Sequence, residues 1–109
     1  MISYIRGKLV EKTPTYVVVE TGGIGFKIAI PLSSFKALGD VGSGIKIRTY
    51  LHAREDVLQL FGFATEEEKE LFQLLISVSG IGPRLAQGIL SGISVREFKL
   101  AIRDKDITK

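Results

Sequence analysis

Residues 60–75 read Leu60-Phe61-Gly62-Phe63-Ala64-Thr65-Glu66-Glu67-Glu68-Lys69-Glu70-Leu71-Phe72-Gln73-Leu74-Leu75, and the hydrophobic period changes inside them. Val57 to Phe63 is a short apolar run of strand length. After Ala64 the spacing becomes helical. Thr65 is a good N-cap, and Glu68 three residues on completes the sequence signature of a capping box. The further glutamates of the first turn suit the positive end of a helix dipole. Leu71, Phe72, Leu75, Ile76 and Val78 then mark one apolar face, and the helix is expected to end at Ser79-Gly80. The chain therefore divides at about Phe63-Ala64-Thr65, into residues 1–63 and residues 64–109.

Upstream of that point the sequence favours strands. Tyr16-Val17-Val18-Val19 is aromatic and β-branched. Phe26, Ile28 and Ile30 alternate with Lys27 and Ala29, and Ile45, Ile47 and Thr49 alternate with Lys46 and Arg48. Residues 2–11 form a further candidate, interrupted by Gly7, which predicts a bulge or sharp bend. Turn signals separate the runs at Thr13-Pro14-Thr15, Gly22-Gly23 and Gly39–Gly44. A short helical insert is expected over 31–38. Five short strands in about 60 residues predict a small closed barrel. The OB-fold is the commonest answer of that size, with an SH3-like barrel the nearest competitor, and strand count does not separate them.

Downstream, a second helix is expected to start at Pro83, turn Leu85, Ala86, Ile89 and Leu90 inward, and close at Gly92. Ser94 with Glu97 predicts a third, with Val95, Phe98, Ala101 and Ile102 inward. Three short helices offer little core of their own, so the expectation is either that the sequence is a fragment or that this segment leans on the barrel. The whole is an α+β chain, a five-stranded OB-type β-barrel followed by a small helical part.

Composition narrows the chemistry. The 109 residues include no cysteine and a single histidine, His52, which excludes disulfides and thiolate or His-cluster metal sites. No cofactor or metal is expected. No apolar run reaches the ~20 residues that span a bilayer. The charged opening MISYIRGKLVEK is unlike a signal peptide, so the expected location is cytoplasmic. The formal net charge of +3 permits nucleic-acid binding without demanding it. No phosphate-binding loop of the G-x-x-x-x-G-K-[ST] type is present, so no ATPase activity is expected of these residues.

The tripeptide GIG occurs twice, at 23–25 and 80–82, in different settings. In TGGIGFK it lies between two strand runs, where Gly22-Gly23 signals a hairpin turn and Gly25 a bulge or bend. In Ser79-Gly80-Ile81-Gly82-Pro83-Arg84 it joins two helices. There the glycines leave backbone amides uncovered, the next helix adds its dipole, and Arg84 supplies a charged donor. That pattern resembles the helix-hairpin-helix, a motif that holds a DNA phosphate without reading bases. The plainer alternative is a tight turn. Arg54-Glu55-Asp56 lies between two strand runs, either as a solvated turn or as carboxylates that repel phosphate. Tyr4, Tyr16, Tyr50, Phe26 and Phe61 form either a stacking platform for bases or parts of the core. Two further readings stand beside DNA binding: a protein-interaction barrel, and a glycosylase-like module. The missing catalytic lysine after the hairpin and the missing aspartate in a pocket context count against the second.

Taken in order, MISYIRGKLVEK, VVVETGGIGFKIAIP, LHAREDVLQLFGF and ELFQLLISVSGIGPRLAQGILSG resemble the RuvA family of bacterial Holliday junction branch-migration proteins. The resemblance implies an OB-fold domain, a domain with two helix-hairpin-helix motifs, and a mobile third domain that recruits the RuvB ATPase. It implies homotetramers that hold a four-way junction open, in DNA repair, recombination and the SOS response, with the resolvase RuvC as a further partner. Such proteins bind duplex DNA as well and are not enzymes by themselves. Glu55 and Asp56 match the family's acidic pin at the crossover. Gly80, Gly82 and Arg84 match its first hairpin, where the basic residue is often lysine. The sequence departs from the family pattern by ending before a second hairpin and a third domain.

Overall fold

The computed structural model describes residues 2–92, so the third helix expected from Ser94 lies outside the described residues. Among them, the chain runs β1 (Tyr4–Lys12), β2 (Tyr16–Thr21), β3 (Ile24–Ala29), α1 (Leu32–Ala37), β4 (Gly44–Ala53), β5 (Leu58–Phe63), α2 (Glu66–Ile76) and α3 (Pro83–Gly92). The strands close into a barrel in the order β1-β2-β3-β5-β4, with β4 pairing back onto β1. Every pairing is antiparallel except β3 with β5, where Ile28 faces Leu60 and Ala29 faces Phe61. This order, with a helix between β3 and β4, is that of an OB-fold and decides against the SH3-like alternative.

Local chemistry explains the turns. Thr21 pairs directly with Ile24 across Gly22 and Gly23, whose φ angles are +59° and +82°. Two positive φ values in a two-residue loop make a type I′ hairpin, open to glycine at little steric cost. Gly25 is not a bulge: it sits in regular register opposite Glu20. Nor does the break in β1 fall at Gly7. The register shifts between Leu9 and Glu11, leaving Val10 as the extra residue. What Gly7 provides is proximity, because a Cβ there would lie 2.3 Å from the Glu20 carbonyl oxygen. The strand trades partners nearby, pairing with β4 over Tyr4–Lys8 and with β2 from Lys8 onward.

Two apolar clusters meet at β5. Inside the barrel lie Ile5, Leu9, Val17, Val19, Ile28, Ile30 and Ile47. On its flank Phe61 and Phe63 of β5 join Leu71, Phe72 and Leu75 of α2 and Ala86 and Leu90 of α3. Phe72 is fully buried, its ring centroid 5.4 Å from Tyr50, 5.4 Å from Phe61 and 4.8 Å from Phe63. Gly62, between the two phenylalanines, faces the other way. A Cβ there would meet Ile28 Cγ2 at 2.4 Å and Ile47 Cδ1 at 2.7 Å. The helices thus lean on the barrel, as their small apolar content requires.

The helical faces differ from the expectation in two places. Val78 and Leu85 are more than half exposed. Val78 falls after α2 has ended at Ile76, so it no longer follows the helical period. Leu85 lies in the first turn of α3, where the face toward β5 is carried by Ala86 and Leu90.

On the barrel surface the Tyr16 hydroxyl donates to Glu11 Oε2 at 2.5 Å. That hydrogen bond, and then the carboxylate's repulsion of a phenolate, raise the Tyr16 pKa above the ordinary tyrosine value. A raised folded pKa favours the fold below the ordinary value, and this contribution is lost as pH rises through the folded one. Glu11→Gln is therefore expected to move the Tyr16 ionisation, followed by ultraviolet absorbance, down toward pH ~10. An unmoved titration would contradict the pairing.

Candidate nucleic-acid interface

The connector between α2 and α3 is built by a sequence of small hydrogen bonds. Ser77 caps α2, its N–H donating to carbonyls of the last turn and its hydroxyl to Leu74 O at 2.6 Å. Val78 N–H donates to Leu75 O, and Ile81 N–H donates to Val78 O at 3.1 Å. The second bond closes a turn over 78–81 with Gly80 third, at φ +90°. This is the position where a type II turn needs a positive φ, and it explains the first glycine. Gly82 does not use that freedom. Its carbonyl accepts the first bond of α3, from Ala86 N–H at 3.0 Å, which makes Gly82 the N-cap. Pro83 takes the first helical position, where a missing N–H costs nothing.

The result is a row of uncovered donors. The N–H groups of Gly80, Gly82, Arg84 and Leu85 find no acceptor among the described residues. Ser79, Gly80, Gly82 and Arg84 are exposed, while Ile81 packs against the helical core and anchors the loop. A Cβ at Gly82 would meet nothing, so neither packing nor a positive φ requires glycine there. The α3 dipole points its positive end the same way. Uncovered amides at the positive end of a helix dipole are a chemistry suited to an anion.

The acidic turn stands at a hairpin tip. Ala53 pairs with Leu58, and Arg54 N–H donates to Val57 O at 2.7 Å, leaving Glu55 and Asp56 outermost. Both carboxylates are exposed, and neither has a hydrogen bond or ion pair among the described residues. Leu58 beside them is 73% exposed.

These two features share a groove. A cavity of about 340 Å³ lies between the β4–β5 hairpin and the start of α3, lined by His52, Arg54, Val57, Gln59, Phe61 and residues 82–85. Its walls carry Arg54, Arg84 and His52 and no carboxylate. Glu55 and Asp56 are outside the lining, although Arg54 and Val57 on either side of them in sequence are part of it. His52 and Gln59 are direct cross-strand partners, and the His52 ring meets Phe61 edge-on at 6.5 Å. Sequence reading missed both. Only the β4–β5 register puts them on the face that looks toward α3. The five aromatic residues do not share one face: Phe61 is buried, Tyr50 packs on Phe72, Lys27 covers Tyr16 at 4.5 Å, and Tyr4, under Lys46, lines a separate surface cavity with Phe26. No helix of the described residues is long and apolar enough to cross a membrane.

Fold and groove together define a class: an OB-fold barrel with a helical hairpin seated on its flank, an open amide loop at one side of a cationic groove and an acidic turn at the other. Within that class the family is definite. Residues 1–62 match the family model described as RuvA N terminal domain, and the chain belongs to that family. It is 52% identical over 109 residues to the "Holliday junction branch migration complex subunit RuvA" of Solibacter usitatus, covering all of this chain and 55% of that protein. The proteins of the same description from Acetivibrio thermocellus and Geotalea daltonii are 46% and 43% identical, over 98% and 100% of this chain and 53% and 55% of theirs. The chain spans about half the length of the curated relatives it matches.

Proposed function

We propose that the chain is a non-catalytic, structure-selective DNA-binding scaffold that holds four-way (Holliday) junctions for branch migration. The observation that carries this reading is the groove, which sets the amide loop and Arg84 a short way from the acidic turn. Residues 79–84 grip a backbone phosphate through amides, helix dipole and guanidinium. Glu55 and Asp56 act as a pin at the crossover, where a carboxylate repels strands that approach too closely. Residues 1–63 then serve as the barrel domain and 64–109 as the hairpin domain. The relatives are named as subunits of a branch migration complex, which supports a place in a larger assembly. In that assembly RuvB supplies the ATPase motor and RuvC resolves the junction. Homotetramers in the cytoplasm would present four loops and four pins to the four arms. Duplex DNA binds more weakly, through the loops alone.

The direct test is anisotropy titration of a labelled four-way junction and of a duplex with the same arm sequence, across a salt series, beside light scattering. The junction is expected to bind more tightly. Affinity for duplex is expected to fall with log salt at a slope of roughly −0.9 per phosphate contacted. Equal affinities, or a flat salt response, would count against the reading. The pin is tested separately by Glu55→Gln with Asp56→Asn. Removing two negative charges is expected to leave duplex affinity unchanged or to raise it, and to erode the preference for the junction. A weaker grip on duplex would assign the carboxylates some other role.

A further inference from the structure

The loop and the pin lie on different parts of the molecule, so something must fix the distance between them. The shared apolar core, interlocked at Phe72, does part of this, and directional hydrogen bonds add to it. The buried directional element is Glu68; the Arg48–Glu66 ion pair and the bond from Lys69 Nζ to Ser3 O, which also join α2 to the barrel, lie nearer the surface. Glu68 is 4% exposed, in the first turn of α2. It accepts hydrogen bonds from three hydroxyls: Thr65 Oγ1 at 3.1 Å, Ser34 Oγ at 3.2 Å, and Ser33 Oγ. Two of the three belong to α1, the insert of the barrel. Ser34 Oγ also accepts from Ala64 N–H at 3.0 Å, which ties in the crossing from β5 to α2. Thr65 caps α2 through Glu68 N–H, but Glu68 does not return the bond to the Thr65 backbone as a capping box would. Its side chain is turned to the barrel instead. The far end of α3 is held to the same short helix, where Leu32 N–H donates to Ser91 Oγ at 3.0 Å.

We infer that Glu68 is a positioning residue: its clamp on Ser33 and Ser34 sets the spacing between the phosphate loop and the acidic turn, and so sets the preference for a four-way junction over duplex. This rests on the function proposed above. A duplex needs only the loop, whereas a junction must meet loop and pin together. Loosening the clamp therefore affects the second ligand and spares the first. Charge-assisted bonds from serine hydroxyls are directional and resist rotation of the helices on the barrel.

The test compares Glu68→Ala, Glu68→Gln and the pair Ser33→Ala with Ser34→Ala in the full 109-residue chain. Glutamine keeps an acceptor for the hydroxyls and serves as the conservative rescue. Junction affinity of Glu68→Ala is expected to fall about tenfold, the worth of one charge-assisted hydrogen bond, with duplex affinity within about twofold of the parent. Glu68→Gln recovers most of the loss. The serine pair leaves the helix cap intact, and shows the same selective loss if Glu68→Ala fails to fold. A readout free of DNA uses the absence of native cysteine. Spin labels at Leu58→Cys and Gln73→Cys, both exposed, give a distance distribution that broadens in Glu68→Ala and narrows again in Glu68→Gln. An equal fall in junction and duplex binding, or an unchanged distribution, overturns the clamp. A parent chain with no junction preference and a broadened variant distribution overturns the function instead, and with it the clamp's part in selectivity.

Discussion

Replacing Phe72 with alanine is expected to lower the unfolding free energy by about 3–5 kcal/mol, the usual cost of emptying a fully buried aromatic site. Small domains hold only about 5–15 kcal/mol in total, so much of the stability goes with this ring. The reason is its position. Phe72 comes from α2, yet two of its three aromatic neighbours come from β5 and the third from β4. No short rearrangement of α2 refills that space, because Phe61 and Phe63 are fixed by barrel pairing. Urea unfolding followed by far-ultraviolet circular dichroism and by tyrosine fluorescence measures the loss. Both probes are expected to report one coincident transition, shifted to lower urea. A barrel signal that survived loss of the helices would show that the two parts do not depend on a common core.

Arg84→Ala is expected to weaken DNA binding by roughly tenfold to a hundredfold per loop, since a hydrogen bond to a charged group contributes about 1.5–3 kcal/mol. The loss should be the same for every DNA sequence, and the salt slope should become shallower by about 1. Arg84 is exposed beside uncovered amides, so its truncation leaves the fold alone. Thermal melting therefore separates this variant from Phe72→Ala: one loses affinity and keeps its midpoint, the other moves its midpoint. Arg84→Lys keeps the charge and gives up the two-pronged donor geometry, and an intermediate loss is expected. A changed preference among DNA sequences in Arg84→Ala would be incompatible with a phosphate contact.

Much of the architecture was legible because it is local. Alternation in 26–30 and 45–49, the Gly22-Gly23 turn, and Thr65 with its glutamates place strands and helix from neighbouring letters alone. The two GIG triplets could be told apart for the same reason, one followed by a strand and the other by a helix start. What was not legible depends on pairing across the chain. Gly7 is set by an approach to Glu20, not by its flanks, and the bulge therefore moved to Val10. Glu68 reads as half of a capping box until α1 is brought over it, 34 and 35 residues away in sequence. His52 and Gln59 become neighbours only through the β4–β5 register, and their face meets α3 only after the helices dock. Periodicity also overreached at Val78, since it continues in sequence past the point where Ser77 ends the helix.

Strand β5 has one more consequence. Most strands of a barrel keep one side for water, and that side can absorb mutation. Over Phe61-Gly62-Phe63 there is no such side: all three are buried, the phenylalanines toward the helices and the glycine toward the barrel interior. A larger residue at 62 strikes Ile28 and Ile47, and a smaller one at 61 or 63 opens a hole beneath Phe72. This tripeptide has no neutral neighbours in sequence space. Freedom to vary returns only toward the tip, at Leu58 and in the turn before it, where the groove and the acidic pair are found. The same strand thus offers a fixed end that holds the molecule together and a variable end on which binding can be tuned.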